Sequence, residues 1–263
     1  MRQGVLELRE FYASPLGQVA RRMVSRKILE AWQDAAGLDL LALGYATPFV
    51  DGLDRFARRT VAAMPAAQGV EAWPTLEPNR ACLAHEMALP FPNAFFDRIL
   101  IAHALEESEN PLRLLAEASR VLSPAGRVIL VVTARRGLWA DAENSPFGHG
   151  RPFSRRQLER LVREAELAPL GWTRALYAPP LTWAARWADG FEQAGAVLWS
   201  SFAGVILMEA AKQTFALRPR GRPARAAVRV RPGFAPSPAP VGRIPAGAPR
   251  LESDPFARDR CER

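Results

Sequence analysis

Apolar residues recur at helical spacing from Leu16 through Val19, Met23, Ile28 and Leu29, directly behind Ser14-Pro15. Serine as a cap and proline at the first helical position mark a start, so the pattern predicts a helix over Ser14–Trp32, with 14–35 capping the domain. The period then changes. Leu38–Leu43 is a short apolar run closed by Gly44, and Thr60–Met64 is a second one stopped by Pro65. Arg80–Ala84, Phe96–Ala102 and Arg127–Thr133 complete a set of five expected strands. Helices are expected between or after them at Phe49–Ala57, behind Pro48, at Pro111–Leu122, and from the Ser154 cap to about Glu166. Pro124-Ala125-Gly126 reads as a turn into the last of the five strands. Two further β-like segments, Gly171–Tyr177 and Gly204–Ala210, flank a stretch holding Trp183, Trp187, Phe191 and Trp199. Those aromatics read first as packing against the sheet edge, and otherwise as a cover over substrate or a partner surface.

Short apolar strands alternating with amphipathic helices predict an α/β fold, a mostly parallel sheet with helices on both faces. Sheets of this kind take ligands at the C-terminal ends of their strands. The loops that matter are therefore 44–48, 64–69, 85–92, 102–110 and 134–153.

Three stretches resemble the Rossmann-like S-adenosylmethionine-dependent methyltransferases, in particular the small-molecule group known as type 11. Leu89 to Leu100, LPFPNAFFDRIL, is similar to the segment that leads that group into its fourth strand. Arg120 to Arg127, RVLSPAGR, is similar to the turn leading into its fifth, and the helix expected at 111–122 lies between the two as in the family. The resemblance implies a Rossmann-like methyltransferase sheet, S-adenosyl-L-methionine as cofactor, and methyl transfer to a small-molecule acceptor. It implies cofactor contacts from Gly44, Tyr45 and Ala46 after the first strand, Met64 at the end of the second, His85, Glu86 and Met87 after the third, and Ala102 at the end of the fourth. The cofactor motifs are degenerate. Where the family has an acid and three glycines, this chain has Ala42, Gly44, Ala46 and Pro48, and proline removes a backbone donor. Where the family ends its second strand in a carboxylate that accepts from the ribose hydroxyls, the chain reads Met64-Pro65-Ala66-Ala67-Gln68, and only Gln68 offers a neutral substitute. His85 stands in the place of the family's adenine-contacting aspartate, or is a solvated loop histidine. These departures leave a second reading, a catalytically silent member of the fold that acts as a binding or assembly factor.

Methyl transfer to a good nucleophile requires alignment more than acid–base chemistry. The candidate catalytic residues lie on the same rim. His103 follows the fourth strand, as a group beside the reacting methyl or as an imidazole bonded to nearby backbone. His149 sits between Gly148 and Gly150 in the 134–153 connection. That connection is far longer than an ordinary strand–helix loop of about 2–6 residues. With Trp139, Phe147 and Arg151 it is expected to form a lid over a planar or anionic substrate. Glu106 and Glu107 read as residues favouring a helix N-terminus.

Composition changes the picture in one respect. Of 263 residues 49% are hydrophobic, and the net charge is +8, carried by 33 Arg and 2 Lys. From Leu217 onward 11 Arg face 4 acids, a net +7 in 47 residues that also hold 9 Pro, so the preceding 216 residues are nearly neutral. The expected organisation is a methyltransferase-like domain over 1–216 and a disordered Arg/Pro-rich tail over 217–263. A neutral body argues against nucleic acid as a partner of the folded domain, while the tail suits an acidic partner. Three His with Cys82 and Cys261 far apart cannot make a metal site by themselves. The opening MRQGVLELREFY has no apolar core for a signal peptide, and no run reaches a membrane span of about 20 residues. A cytoplasmic location is expected.

Overall fold

The structure, a computed structural model, describes residues 2–33, 35–198, 202–213 and 235–236. Two helices come first, α1 (Val5–Ala13) and α2 (Pro15–Trp32). Ser14 serves both: its hydroxyl donates to the Phe11 carbonyl at 2.7 Å and accepts from the Gly17 amide at 3.1 Å, ending one helix and capping the next. Gly17 lets them cross closely, since a Cβ there would meet the Phe11 carbonyl oxygen at 1.9 Å. The sequence pattern locates α2; α1, with Leu8 and Tyr12 as its main apolar anchors, is too short to stand out from it.

Eight strands form one sheet: β1 (Asp39–Gly44), β2 (Arg59–Pro65), β3 (Ala81–Ala84), β4 (Phe96–Ala102), β5 (Leu122–Thr133), β6 (Leu167–Ala175), β7 (Val205–Lys212) and β8 (Ala235–Pro236). Their order is β3-β2-β1-β4-β5-β7-β6-β8. The first five are parallel, and β7 inserts antiparallel between β5 and β6. Every residue of β1 is buried, as expected of a central parallel strand covered on both faces. β5 begins at Leu122 because Leu122 already pairs with Phe96, and the register shift before Arg98 absorbs the expected Pro124–Gly126 turn.

Two cores lie on opposite faces. One joins α1 and α2 to Leu40, Ala42, Leu100, Ile129 and Leu207. The other joins α4 (Pro111–Val121) and α5 (Arg155–Glu164) to Leu41, Ile99, Val128 and Met208. Asn110 caps α4 and Ser154 caps α5 with a capping box to Gln157. A further helix, α6, spans Ala188–Leu198.

The helix expected at Phe49–Ala57 is not continuous. A 3₁₀ turn at Thr47–Phe49 is followed by a single turn of α-helix, α3 (Asp51–Asp54). Gly52 sits against Leu29 of α2, and Asp54 is held by the Arg80 guanidinium at 2.8 and 3.0 Å, so packing and a bidentate ion pair replace helix propagation. Of the aromatic stretch, Phe191 packs on the first core and Trp187 is exposed; the Trp183 side chain and Trp199 fall outside what is described. The basic tail also falls outside, except Ala235–Pro236, which pair with Gly171 and Trp172 of β6.

Candidate active site

The strand order reverses between β1 and β4, and the carboxyl ends of those strands open a crevice where open α/β sheets bind ligands. Gly44 ends β1 at φ +81°, and an added Cβ would lie 2.2 Å from the Ala102 carbonyl oxygen of β4. Tight strand-to-strand packing is thus sufficient reason for glycine at this point. The Tyr45 amide then donates to that same carbonyl at 3.0 Å. Tyr45 itself is buried, its hydroxyl donating to Glu71 at 2.8 Å; burial, then that carboxylate, pushes its pKa up. Ala46, Met64 and Ala102 are buried too.

His103 follows β4 with φ +50° and sinks into an aromatic nest of Tyr12, Phe49 and Phe147. Its Nε2 lies 2.6 Å from the Tyr12 hydroxyl. Burial depresses the His103 pKa to about 3, so the ring is neutral, and burial raises that of Tyr12 well above its ordinary value. The His103 carbonyl accepts from Gln68 Nε2 at 3.1 Å. Gln68, on the turn after β2, is thereby turned into the crevice, and its own Oε1 has no hydrogen bond.

Glu106 is buried next to these groups. One oxygen accepts from the Thr133 amide at 2.9 Å; the other, Oε2, has no partner. Burial is the main cause that lifts its pKa to about 7, and Glu107 adds to it. Burial raises the carboxyl of Glu107 as well. The dipole role expected for the pair does not describe them: no helix begins until Pro111, and Glu106 points inward.

A cavity of about 530 Å³ continues from here towards the β2 and β3 ends. Its charged and polar wall includes Arg2, His85, Glu86, Glu106, Glu107 and Arg151. Glu86 is buried between the Ser108 hydroxyl at 2.6 Å and the Arg2 guanidinium at 2.6 Å, whereas His85 is exposed and its Nδ1 accepts from the Met87 amide. Met87 is half-buried on the same wall.

The long 134–153 connection differs from the expected lid. Trp139 and Phe147 turn inward, packed edge to face, and the Trp139 indole donates to the Ala178 carbonyl at 2.8 Å. They are core residues because their area finds an apolar enclosure beneath the loop. His149 remains half-exposed, bonded to the Glu143 carbonyl at 3.0 Å, and borders the same tight space as His103, Glu106 and Glu107. Arg151 alone of the proposed lid lines the open cavity.

Of the residues named from the sequence, His85, Glu86 and Met87 line the cavity and His103 and His149 the tight space beside it, while Gly44 to Ala46, Met64 and Ala102 lie buried at the strand ends. Sequence reasoning misses Arg2, Leu8 and Tyr12, which come from α1. Only Leu8 and Tyr12, four residues apart and so on one helical face, gave any signal.

Residues 44–130 match the family model described as a methyltransferase domain. A solved S-adenosylmethionine-dependent methyltransferase from Thermotoga maritima superposes with a TM-score of 0.54 at 16% identity, over 80% of this chain and 96% of that one. Residues 44–130 are thus similar to a methyltransferase domain, and the fold is that of the Rossmann-like, S-adenosylmethionine-dependent methyltransferases. Among curated proteins, the ubiquinone/menaquinone biosynthesis C-methyltransferase of Ralstonia nicotianae is 34% identical over 64 residues, 24% of this chain and 26% of that protein. The corresponding enzyme of Bordetella parapertussis is 38% identical over 60 residues, 23% of this chain and 22% of its own. The chain thus spans about a quarter of the length of the curated relatives it matches. No helix among the described residues is long and apolar enough to cross a membrane, and none of their His, Cys, Asp and Glu groups is arranged to hold a metal.

Proposed function

We propose that this protein transfers a methyl group from S-adenosyl-L-methionine to a small-molecule acceptor. The observation that carries the reading is the crevice at the β1/β4 reversal, where two buried oxygens, Gln68 Oε1 and Glu106 Oε2, await hydrogen-bond donors. Buried polar atoms are rarely left so, and a ligand rich in hydroxyl and ammonium donors would satisfy both. The residues fit the cofactor in this sense, although the acids expected at positions 42 and 65 are Ala and Pro.

When bound, the cofactor supplies an electrophilic sulfonium methyl. Gly44, Tyr45 and Ala46 would border its methionine half, with Met64 and Ala102 closing the floor. Gln68 would receive the ribose, and His85, Glu86 and Met87 would flank the base. Neutral His103 keeps positive charge away from the reacting centre. Glu106, half-protonated near pH 7, can accept a proton from an acceptor that arrives protonated. His149, at the mouth beside Glu107, would meet the acceptor rather than the cofactor. The relatives matched at above 30% identity are named for quinone biosynthesis, which supports a small-molecule acceptor.

The test uses S-adenosylmethionine labelled in its methyl group, incubated with the protein and a small-molecule extract. Label should pass into the small-molecule fraction, and Glu106→Gln should slow it by on the order of 10²-fold. Label found only in protein or nucleic acid contradicts the acceptor class.

The binding-factor reading has one observation in its favour. The second strand ends in Met64-Pro65 with no carboxylate for the ribose, and charge-assisted bonds of that kind contribute about 1.5–3 kcal/mol. Cofactor binding absent at millimolar concentration would establish that reading instead.

A further inference from the structure

The methionine half of the crevice is filled by the chain's own N-terminus. Tyr12 of α1 stacks on Tyr45 at 5.9 Å, meets Phe49 edge-on at 5.5 Å, and bonds His103. Leu8 lies beside it, and the space left between Leu8, Gln68, His103 and Glu106 is too small for a water molecule. The Val5 amide donates to the Gln68 carbonyl at 2.8 Å, on the turn that would meet a ribose. At the tip Arg2 reaches Glu86 at 2.6 Å, Glu107 at 3.6 Å and the Ala104 carbonyl at 2.9 Å. The open cavity of about 530 Å³ begins at the Arg2 tip of this segment, on the side of His85 and Met87.

We propose that residues 2–12 form a plug that occupies the cofactor cleft and must swing out about Ser14 before the cofactor can bind. This inference rests on the reading that the cleft is a cofactor site. Two features of the joint mark it as separable from the body. Its polar contacts are made with groups that a cofactor would itself address, Gln68, Glu86 and the His103 turn. It also leaves Gln68 Oε1 and Glu106 Oε2 unpaired, two acceptors that a cofactor's donors would satisfy. Ser14, with extended backbone between two helices, is the joint about which α1 would rotate, giving up the Ser14–Phe11 and Gln18–Tyr12 hydrogen bonds while the Ser14 cap on α2 is kept. The closed arrangement taxes affinity by the fraction of molecules in which the cleft is open.

A reversible lock tests this on the full chain. A Cβ built on Gly69 lies 3.9 Å from the Val5 Cβ, within the span of about 3.5–4.5 Å that a disulfide bridges. Gly69 has φ +88°, so the pair Val5→Cys and Gly69→Cys is introduced with Cys82→Ser and Cys261→Ser, and folding is checked by circular dichroism. Calorimetry with S-adenosylhomocysteine should show at least tenfold weaker binding for the oxidised lock, recovered on reduction. Should the lock fail to fold or to oxidise, Tyr12→Phe removes the hydroxyl from His103 and should tighten binding about 2- to 10-fold, by the usual net worth of one hydrogen bond. Equal affinity of oxidised and reduced lock, or an unchanged or weaker affinity in Tyr12→Phe, overturns the plug while leaving the cofactor site intact. Binding in neither the wild type nor any variant overturns the plug together with the reading on which it rests.

Discussion

Glu106 stands at the end of the β4 rim with one oxygen on the Thr133 amide and the other unpaired, in a setting that favours its neutral form. A carboxyl whose folded pKa is raised stabilises the fold fully below its unfolded value near 4.5 and loses that contribution as pH climbs to about 7. His103 acts in the opposite sense: its folded pKa is depressed to about 3, so stability is lost as pH falls below its ordinary 6.5. The two slopes oppose each other between 4.5 and 6.5, and the wild type alone cannot separate them. Comparing urea unfolding of wild type and Glu106→Gln at pH 5 and 7.5 can. The variant should gain on the wild type as pH rises, by on the order of 3 kcal/mol at most. A difference that is constant with pH would mean that Glu106 ionises as freely as in water. None of this was legible in the sequence, where Glu106-Glu107 reads as a pair favouring a helix N-terminus; burial is decided by the loop at 148–151 closing over it, Gly150 against the Glu106 backbone and the Arg151 amide on its carbonyl.

At the scale of elements, strands and capped helices were readable and irregular segments were not. β4 lies where its apolar run places it, α2 and α5 start at the caps named for them, and α4 starts at Pro111 as expected. The failures share a cause, tertiary contacts overriding local pattern. α3 stops after one turn because Arg80 claims Asp54 and α2 claims Gly52. In the 134–153 connection, aromatic residues on a long rim loop suggested a substrate cover, but Trp139 and Phe147 were drawn under it. Trp139 is fully buried with its indole bonded, so Trp139→Ala should cost about 3–5 kcal/mol of stability, read as a lowered Tm. Loss of turnover with an unchanged Tm would restore the lid. Gly204 supports the packing role, since a Cβ there would meet the indole at 2.4 Å.

For the whole molecule, the sheet order follows from alternation of strand and helix plus the similarity of two short segments to a known family, and both are linear features of the chain. The crevice position follows from that order. Whether the crevice admits its ligand does not follow, because that depends on a nine-residue helix, α1, folding back over the β1 and β4 ends. The net charge of +8 bears little on the site, since the body that builds it is nearly neutral and the Arg-rich stretch lies apart in sequence. An acidic partner for that stretch remains a proposal. Removing residues 217–263 should leave cofactor affinity unchanged, and a lower affinity by the same titration would tie the tail to the crevice. The central claim, that this crevice is a cofactor site in spite of its missing carboxylates, is tested most directly by equilibrium binding of S-adenosylmethionine to the wild type and to Gln68→Ala. Saturable binding with one site, weakened about 5- to 30-fold in the variant by loss of a buried hydrogen-bonding group, is the predicted result. Absence of binding at millimolar cofactor, or binding indifferent to Gln68, would contradict it.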